Sequence, residues 1–180
     1  MPTFYFDIET TGLDEKSCKV ITIQYQELDR NSGKPIGELV ILKEWESSER
    51  DILEKFLMDT GAGNPHPFSF VPVGYNLTFE HNFLKERTTV NRFAPFDILN
   101  KPCIDLRPIG VIMNRGEFKG SGLDKITGKP MNGSQVPSWY ANKEYQRIVE
   151  YVQAEAKAFN ELNVWLYQKL PEFLTTFKQK

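Results

Sequence analysis

The clearest alternation of apolar and polar residues lies at the start of the chain, in Thr3–Leu13 (TFYFDIETTGL). Aromatic and β-branched residues at every second position of Phe4–Ile8 predict a β-strand. Thr10–Gly12 then interrupts the pattern and predicts a turn. Because successive side chains of a strand point to opposite faces, Asp7 and Glu9 share one face of an otherwise apolar strand.

Two further strands are predicted before residue 46. Lys19–Leu28 (KVITIQYQEL) and Gly37–Trp45 both favour extended structure, and Asn31–Pro35 (NSGKP) between them has the composition of a turn. Strands joined by connections this short pair antiparallel. The first three strands are therefore expected to form an antiparallel meander.

Helices and strands alternate in the rest of the chain. The expected elements are a helix capped by Ser47 or Ser48 and running to about Met58, a short buried strand Phe68–Tyr75, a helix Asn76–Leu84, a strand Lys101–Leu106 ending at Asp105, and a long, bent helix Asn142–Leu170 closed by Pro171. Residues 107–135 are rich in glycine and predict an irregular to weakly helical segment, expected to be a mobile region or a substrate-side loop.

Together these elements predict a single α/β domain over residues 1–180. Its centre is a mixed sheet of about five strands, the first three antiparallel, flanked by helices. A length of 180 residues with 40% hydrophobic and 26% charged residues suits one globular domain. No repeat, linker or low-complexity tract interrupts it.

Composition excludes several classes of function. No apolar run approaches the roughly 18 residues of a membrane span, and no signal peptide is recognisable. Cys18 and Cys103 form neither a disulfide framework nor a zinc motif, which favours a reducing, cytoplasmic setting. His66 and His81 are too few for a histidine-based metal site.

The net charge of the chain is −2, but Lys85–Lys129 has more basic than acidic residues. Such an excess is found in the wall of a phosphate-binding cleft and also on an ordinary solvated surface. Neither a Walker phosphate loop nor an acyl-transfer triad is present.

The paired acids of the first strand admit two interpretations. If the strand lies within the sheet, Asp7 and Glu9 raise each other's pKa, and a divalent cation such as Mg²⁺ or Mn²⁺ offsets the cost of burying them. If the strand lies at an edge, both are solvated and carry no function.

Two more acids stand out on the predicted helices. Glu155 interrupts the apolar stripe of the last helix, and Tyr151 lies one turn before it. The pair is either a metal ligand with a neighbouring phenol or a tyrosine–glutamate hydrogen bond at a half-buried helix edge. Glu80, in the first turn after a buried strand, is either a further ligand or an acid that favours a helix start. The stripe consists of Ile148, Val152, Phe159, Leu162 and Leu166.

The order of these acids resembles the DEDD (DnaQ-like, ribonuclease H-like) 3′–5′ exonuclease superfamily. FDIETTGL at 6–13, GYNLTFEHNFL at 74–84 and YVQAE at 151–155 are similar to its three motifs, the last in the tyrosine form. CIDLRPI at 103–109 and GSGLDKITG at 120–128 resemble the segment between the second and third motifs. The resemblance covers nearly the whole chain and implies a ribonuclease H-like fold.

The resemblance also implies a two-metal-ion hydrolysis of single-stranded DNA or RNA 3′ ends that releases nucleoside 5′-monophosphates. Two Mg²⁺ or Mn²⁺ ions would be bound by the four carboxylates, with Tyr151 orienting the attacking water. Thr11, Leu13, Asn76 and Phe79 would bind substrate, although core packing is also expected for Phe79 and Phe83. The implied ligands are Asp7, Glu9, Glu80 and Glu155. A polymerase or repair partner would act in trans.

Glu80 and Glu155 depart from the family pattern, which has aspartate at both positions. Two-metal sites hold their ions about 3.5–4 Å apart, so the extra methylene leaves three outcomes: activity with a backbone shift, activity mainly with Mn²⁺, or a nucleic-acid-binding module without catalysis. A phosphohydrolase of small phosphorylated substrates is a further alternative.

Overall fold

The computed structural model describes residues 1–129 and 133–179, and its centre is a five-stranded mixed sheet. The strands are β1 (Thr3–Thr10), β2 (Val20–Leu28), β3 (Pro35–Lys43), β4 (Val71–Gly74) and β5 (Ile104–Asp105), in the spatial order β3-β2-β1-β4-β5. β1 and β3 pair antiparallel with β2, whereas β4 is parallel to both β1 and β5. The predicted mixed sheet with three antiparallel first strands is confirmed.

Strand β1 lies in the middle of the sheet, so the edge-strand interpretation of its acids is wrong. β2 pairs with β1 along the full length of β1, from Thr3 to Thr10. β4 is shorter and pairs only with Thr3–Tyr5. The second half of β1, which carries Asp7 and Glu9, therefore extends beyond β4 and leaves an opening at that side of the strand.

Six α-helices cover the two faces of the sheet in the described residues. They are α1 (Glu49–Asp59), α2 (Thr78–Val90), α3 (Arg107–Met113), α4 (Leu123–Thr127), α5 (Val136–Ala141) and α6 (Tyr145–Lys178). Ser48 caps α1 as predicted, and its side chain accepts a hydrogen bond from the backbone N–H of Asp51 at 3.1 Å. Within the described part of the chain, no helix is long and apolar enough to cross a membrane.

The alternation of side chains along β1 divides the core between the two faces. Phe6 and Ile8 pack with α1 and α2, whereas Tyr5 points to the other face and packs on Phe159 of α6, with ring centroids 4.7 Å apart. Asp7 and Glu9 follow Tyr5 on the α6 face. The fold therefore directs both acids at the long helix.

Several element boundaries differ from the prediction. β3 runs over Pro35–Lys43 because Glu44–Glu46 forms a short 3₁₀ helix. β4 and β5 are shorter than expected, and α2 continues to Val90. The segment 107–135, of which 130–132 lie outside the described residues, contains the short helices α3 and α4, in agreement with the weakly helical character predicted for it. Gly128, in the left-handed conformation with φ of 72°, ends α4.

The prediction that Pro171 closes the last helix is wrong. α6 begins at Tyr145 and continues through Pro171 to Lys178. A proline inside a helix removes one backbone hydrogen bond and crowds the preceding turn. The buried apolar stripe of α6 is confirmed, since Ile148, Val152, Phe159, Leu162 and Leu166 all lie in the core.

Candidate active site

Three carboxylates meet above the second half of β1. Asp7 and Glu9 reach toward α6, and Glu155 of α6 reaches back toward the strand. One oxygen from each lies within 4.8 Å of the others. Residues nearly 150 positions apart in the sequence therefore form one acidic cluster, as the sequence predicts.

The fourth predicted acid, Glu80, is presented by the start of α2. Asn76 leaves β4 in the left-handed conformation, with φ of 75°, which asparagine tolerates better than most residues. The Asp105 carboxylate accepts hydrogen bonds from the backbone N–H groups of Asn76 and Leu77, at 2.8 and 3.0 Å, and so holds the turn into α2. Glu80 is only 4% exposed, and it shares a hydrogen bond with Asp7.

Burial and repulsion by neighbouring carboxylates raise the pKa values of Asp7, Glu9 and Glu80. Burial, and then the charge of Glu155, raises the pKa of Asp7 to about 7. Burial and the neighbouring carboxylates also raise the pKa values of Glu9 and Glu80 well above their usual range. Ionising Asp7, Glu9 and Glu80 together near neutral pH is therefore costly without a compensating positive charge.

The residues of the cluster fit a divalent metal ion. The atoms that would bind the metal are carboxylate oxygens, the ligands that Mg²⁺ and Mn²⁺ prefer. In the described residues no group donates a hydrogen bond to the buried Oε2 of Glu80, and such an orphaned oxygen suits a metal or a metal-bound water. Glu80 lies outside the group of three that could share one ion, which fits a role at a second position.

Gln24 on β2 fixes the orientation of Asp7, and the sequence analysis did not identify it. The two residues face each other in the register of β1 and β2. The Gln24 side-chain amide donates to Asp7 Oδ2 at 2.9 Å, and Thr22 donates to the Gln24 carbonyl oxygen at 2.9 Å. Gln24 and Thr22 are fully buried. A glutamine within the apolar run KVITIQYQEL was the available signal, since a buried amide needs partners.

Lys129 is the second residue that sequence reasoning missed. Its ammonium group lies 2.8 Å from Glu155 Oε1 and 3.1 Å from the hydroxyl of Tyr151, and its side chain is only 6% exposed. It also lies 4.4 Å from the centre of the Tyr151 ring, a cation–π contact. Lys129 directly follows the segment GSGLDKITG, but nothing in that pattern indicates a contact with the last helix.

One cavity of about 230 Å³ joins the predicted catalytic residues to two of the predicted substrate residues. Arg107, at the start of α3, was not predicted but also lines it. The lining includes Asp7, Glu9, Asn76, Phe79, Glu80, Tyr151 and Glu155.

An adjoining cavity of about 460 Å³ shares Glu9 and Phe79 with the first and extends to Leu13. Leu13 is highly exposed there, as a side chain that meets a ligand would be. Thr10 also lines this cavity, whereas the hydroxyl of Thr11 accepts a hydrogen bond from the backbone N–H of Lys19 at 3.1 Å. Phe83 is buried and packs against Phe79, so the expectation of core packing holds for Phe83.

A central strand carrying two acids, in a mixed sheet with the order seen here, is the arrangement of a ribonuclease H-like fold. The model of the RNase_H superfamily matches residues 4–172. The chain therefore belongs to the ribonuclease H superfamily, and the predicted fold is confirmed. The tyrosine form of the third motif stays a prediction.

Solved structures of Escherichia coli exonuclease I have the same fold. The complex with a dT13 oligonucleotide superposes with a TM-score of 0.67 at 12% identity, covering 97% of this chain and 43% of that one. The zinc-bound complex with single-stranded DNA gives 0.65 at 13% identity, with the same coverage of both chains. This chain thus spans less than half of exonuclease I, and identities this low establish the fold alone. No curated protein matches the sequence significantly.

Proposed function

We propose that this protein is a metal-dependent 3′–5′ exonuclease that releases nucleoside 5′-monophosphates from single-stranded DNA or RNA. The observation that carries the proposal is the convergence of four carboxylates, from β1, α2 and α6, around one cavity with a buried tyrosine. Asp7, Glu9 and Glu80 have raised pKa values, and burying carboxylates of like charge together is costly in a purely structural role. That exonuclease I structures with the same fold contain single-stranded DNA supports this choice of substrate.

The metal ligands in this proposal are Asp7, Glu9, Glu80 and Glu155. Bound Mg²⁺ or Mn²⁺ would lower the pKa of a water molecule and offset the charge that develops on the phosphate. The two glutamates that replace the usual aspartates both reach the centre: Glu155 joins Asp7 and Glu9, and Glu80 contacts Asp7. The longer side chains are therefore compatible with a complete ligand set.

Tyr151 would orient the attacking water without acting as a base. Burial, followed by the charges of Glu9 and Glu155, raises the pKa of the Tyr151 hydroxyl, so the phenol keeps its proton. Hydrolysis adds the oxygen of water to phosphorus and breaks the bond to the 3′ oxygen of the preceding nucleoside. The products are a 5′-monophosphate and a strand shortened by one residue.

The terminal nucleoside would occupy the cavity at Leu13. Glu9 and Phe79 line both this cavity and the acidic one, so a nucleoside held there has its phosphate beside the carboxylates. Leu13 and Phe79 offer apolar surface to a base, which needs no particular sequence. A polymerase or repair enzyme acting in trans is the partner that such an activity would serve.

A non-catalytic nucleic-acid-binding module is the second candidate, and one contact favours it. The ammonium group of Lys129 pairs with Glu155 at 2.8 Å and so places a protein cation among the proposed ligands. A site of this kind keeps the fold and the cleft while binding metal poorly.

The test is the degradation of 5′-labelled single-stranded DNA and RNA oligonucleotides in Mg²⁺, Mn²⁺ or EDTA. We expect stepwise shortening from the 3′ end that requires metal and is lost in Asp7→Ala and Glu155→Ala. Glu161→Ala, an exposed acid on the same helix, is the matched control and should retain full activity. If folded protein cleaves neither substrate with either ion but still binds both, the exonuclease proposal is wrong and the binding module takes its place.

A further inference from the structure

A third cavity, of about 550 Å³, adjoins the acidic one near the start of α3. Asn76 and Arg107 line both. The acidic cavity therefore shares residues with the Leu13 cavity through Glu9 and Phe79, and with this one through a different pair. The remaining lining residues are Thr78, Asp105, Pro108, Val111, Ile112 and Phe118.

Two large apolar side chains of this third cavity are unusually exposed. Ile112 is 75% and Phe118 is 71% exposed. An aromatic ring left this open to water gives up most of the free energy that its burial would contribute. Exposed apolar surface beside a cleft is typical of a binding site.

The loop after α3 holds Phe118 in this position. The backbone carbonyl of Phe118 accepts hydrogen bonds from the N–H and hydroxyl of Ser121, at 3.2 and 2.8 Å. Asn114 donates to the carbonyls of Glu117 and Lys119 on either side, at 2.7 and 3.0 Å. The Tyr75 hydroxyl, at the end of β4, donates to the carbonyl of Ser121. The aromatic ring is thus presented by an organised loop tied to the sheet.

The surroundings of Phe118 are basic. Arg115 and Lys119 are exposed on the same loop, and Arg107 is half-buried between the third cavity and the acidic one. Together they give three positive charges against the two negative charges of Asp105 and Glu117 in residues 105–119. An aromatic face with basic side chains beside it matches a nucleic-acid strand, whose bases stack and whose phosphates carry the charge.

We propose that this third cavity binds the nucleotides that precede the 3′-terminal one. A base stacks on Phe118, the sugar packs against Ile112, and Arg107 contacts the phosphate that passes between the two cavities. The occupant is a single strand, because only an unpaired base exposes its face to an aromatic side chain. This inference rests on the proposed function and adds the path of the substrate strand.

Two substrates separate this subsite from the chemistry. Thymidine 5′-monophosphate p-nitrophenyl ester has a terminal nucleotide and a nitrophenol leaving group, but no preceding nucleotide. A dT12 oligonucleotide has both. The readout is the ratio of kcat/KM on dT12 to kcat/KM on the ester, so losses common to both substrates cancel.

In the full chain, Phe118→Ala should lower this ratio about 5- to 150-fold, the range expected for loss of one stacked base. The loss should appear in KM for dT12, and Phe118→Trp should restore it. Phe118→Leu, which keeps an apolar side chain without a ring face, should resemble Phe118→Ala. Phe177→Ala is the matched control because Phe177 is 74% exposed at the far end of α6, and its ratio should equal that of the unaltered protein.

An unchanged ratio in Phe118→Ala would overturn the subsite even though both substrates are cleaved. Full activity on dT12 in Phe118→Leu would replace stacking by simple apolar contact, and it would equally contradict the inference. If the unaltered chain cleaves neither substrate, the proposed function fails. The subsite is then tested by the binding of fluorescein-labelled dT12, measured by fluorescence anisotropy. Phe118→Ala should bind this oligonucleotide at least fivefold more weakly than the unaltered protein.

Discussion

At the scale of single residues, the charge of Asp7 depends on its burial and on the neighbouring carboxylate of Glu155. In the metal-free protein, burial and Glu155 raise its pKa from 3.8 to about 7. A carboxyl whose pKa is raised by folding contributes most stability below its unfolded pKa and loses that contribution as the pH rises through the folded value. The metal-free protein should therefore lose stability between about pH 4 and pH 7.

Asp7→Asn should remove much of this pH dependence and stabilise the metal-free protein at pH 8 by on the order of 1–3 kcal/mol. The measurement is urea denaturation in EDTA from pH 4 to pH 8, with Glu161→Gln as the control. Mn²⁺ should stabilise the unaltered protein more at pH 8 than at pH 5, and should not stabilise the Asp7→Asn variant. A flat pH profile in the unaltered protein would show that these acids do not repel one another.

Lys129 offsets part of the negative charge of the acidic cluster. Its ammonium group lies 2.8 Å from Glu155 Oε1, so it competes with any other cation for that oxygen. Lys129→Met should lower the Mn²⁺ concentration at half-maximal thermal stabilisation about tenfold, a change of about 1.4 kcal/mol. Lys125→Met, which removes an exposed charge from α4, is the control. Weaker Mn²⁺ binding in Lys129→Met would instead mean that the lysine organises the ligands.

At the scale of elements, a buried ion pair joins α1 to α2 and β2. Glu49 accepts hydrogen bonds from Arg87 at 2.9 and 2.7 Å, from Asn91 at 3.0 Å and from the backbone N–H of Val20 at 2.8 Å. Burial alone would raise the pKa of Glu49, but these donors outweigh it and hold the pKa below its usual value. Its contribution to stability is therefore present at neutral pH and is lost as the pH falls below about 4.5.

Glu49→Ala should cost about 3–5 kcal/mol of unfolding free energy at pH 7, because Arg87 is left buried without its partner. The exposed Glu54 on the same helix is the control, and Glu54→Ala should change stability by less than about 0.5 kcal/mol. Urea denaturation measures both. If the two variants lose equally little, the ion pair does not hold α1 against α2.

The sequence predicts those elements that are determined by residues close together in the chain. β1, β2 and the Ser48 cap follow from alternation and capping within a few residues. The strand predicted at Lys101–Leu106 exists as β5 and ends at Asp105, but it is only Ile104–Asp105 long because its pairing with β4 covers two residues, which no local pattern reveals. α6 passes through Pro171, although proline usually ends a helix.

The site divides in the same way between what the sequence predicts and what only the fold supplies. Asp7, Glu9 and Glu155 are anomalous because each is an acid within an apolar pattern, and the structure brings them together. Lys129 is an ordinary lysine in a glycine-rich segment, so only the folded chain places it on Glu155. A substrate-binding role for Phe118 and Arg107 is likewise suggested only by the cavities that they line.

At the scale of the whole molecule, the packed unit ends before α6 does. Leu166 is buried and Asn163 donates to the backbone carbonyl of Gly33 at 2.9 Å, but residues 171–179 are all exposed. The apolar side chains of this last part continue the spacing of the buried stripe without meeting the sheet. They are Leu170, Phe173, Leu174 and Phe177.

Deleting residues 170–180 should therefore change the unfolding free energy by less than about 1 kcal/mol, because apolar side chains that are not buried contribute little. Leu166→Ala should cost about 2–5 kcal/mol, since it opens a cavity between α6 and the sheet. Phe173→Ala, seven residues further along the helix, should cost almost nothing. Urea denaturation of the three variants locates the end of the cooperative unit.

A large loss of unfolding free energy on deletion would mean that the exposed stripe packs against the same chain in solution. An activity on dT12 that survives the deletion would place the whole of the catalytic and strand-binding surface within the first 169 residues.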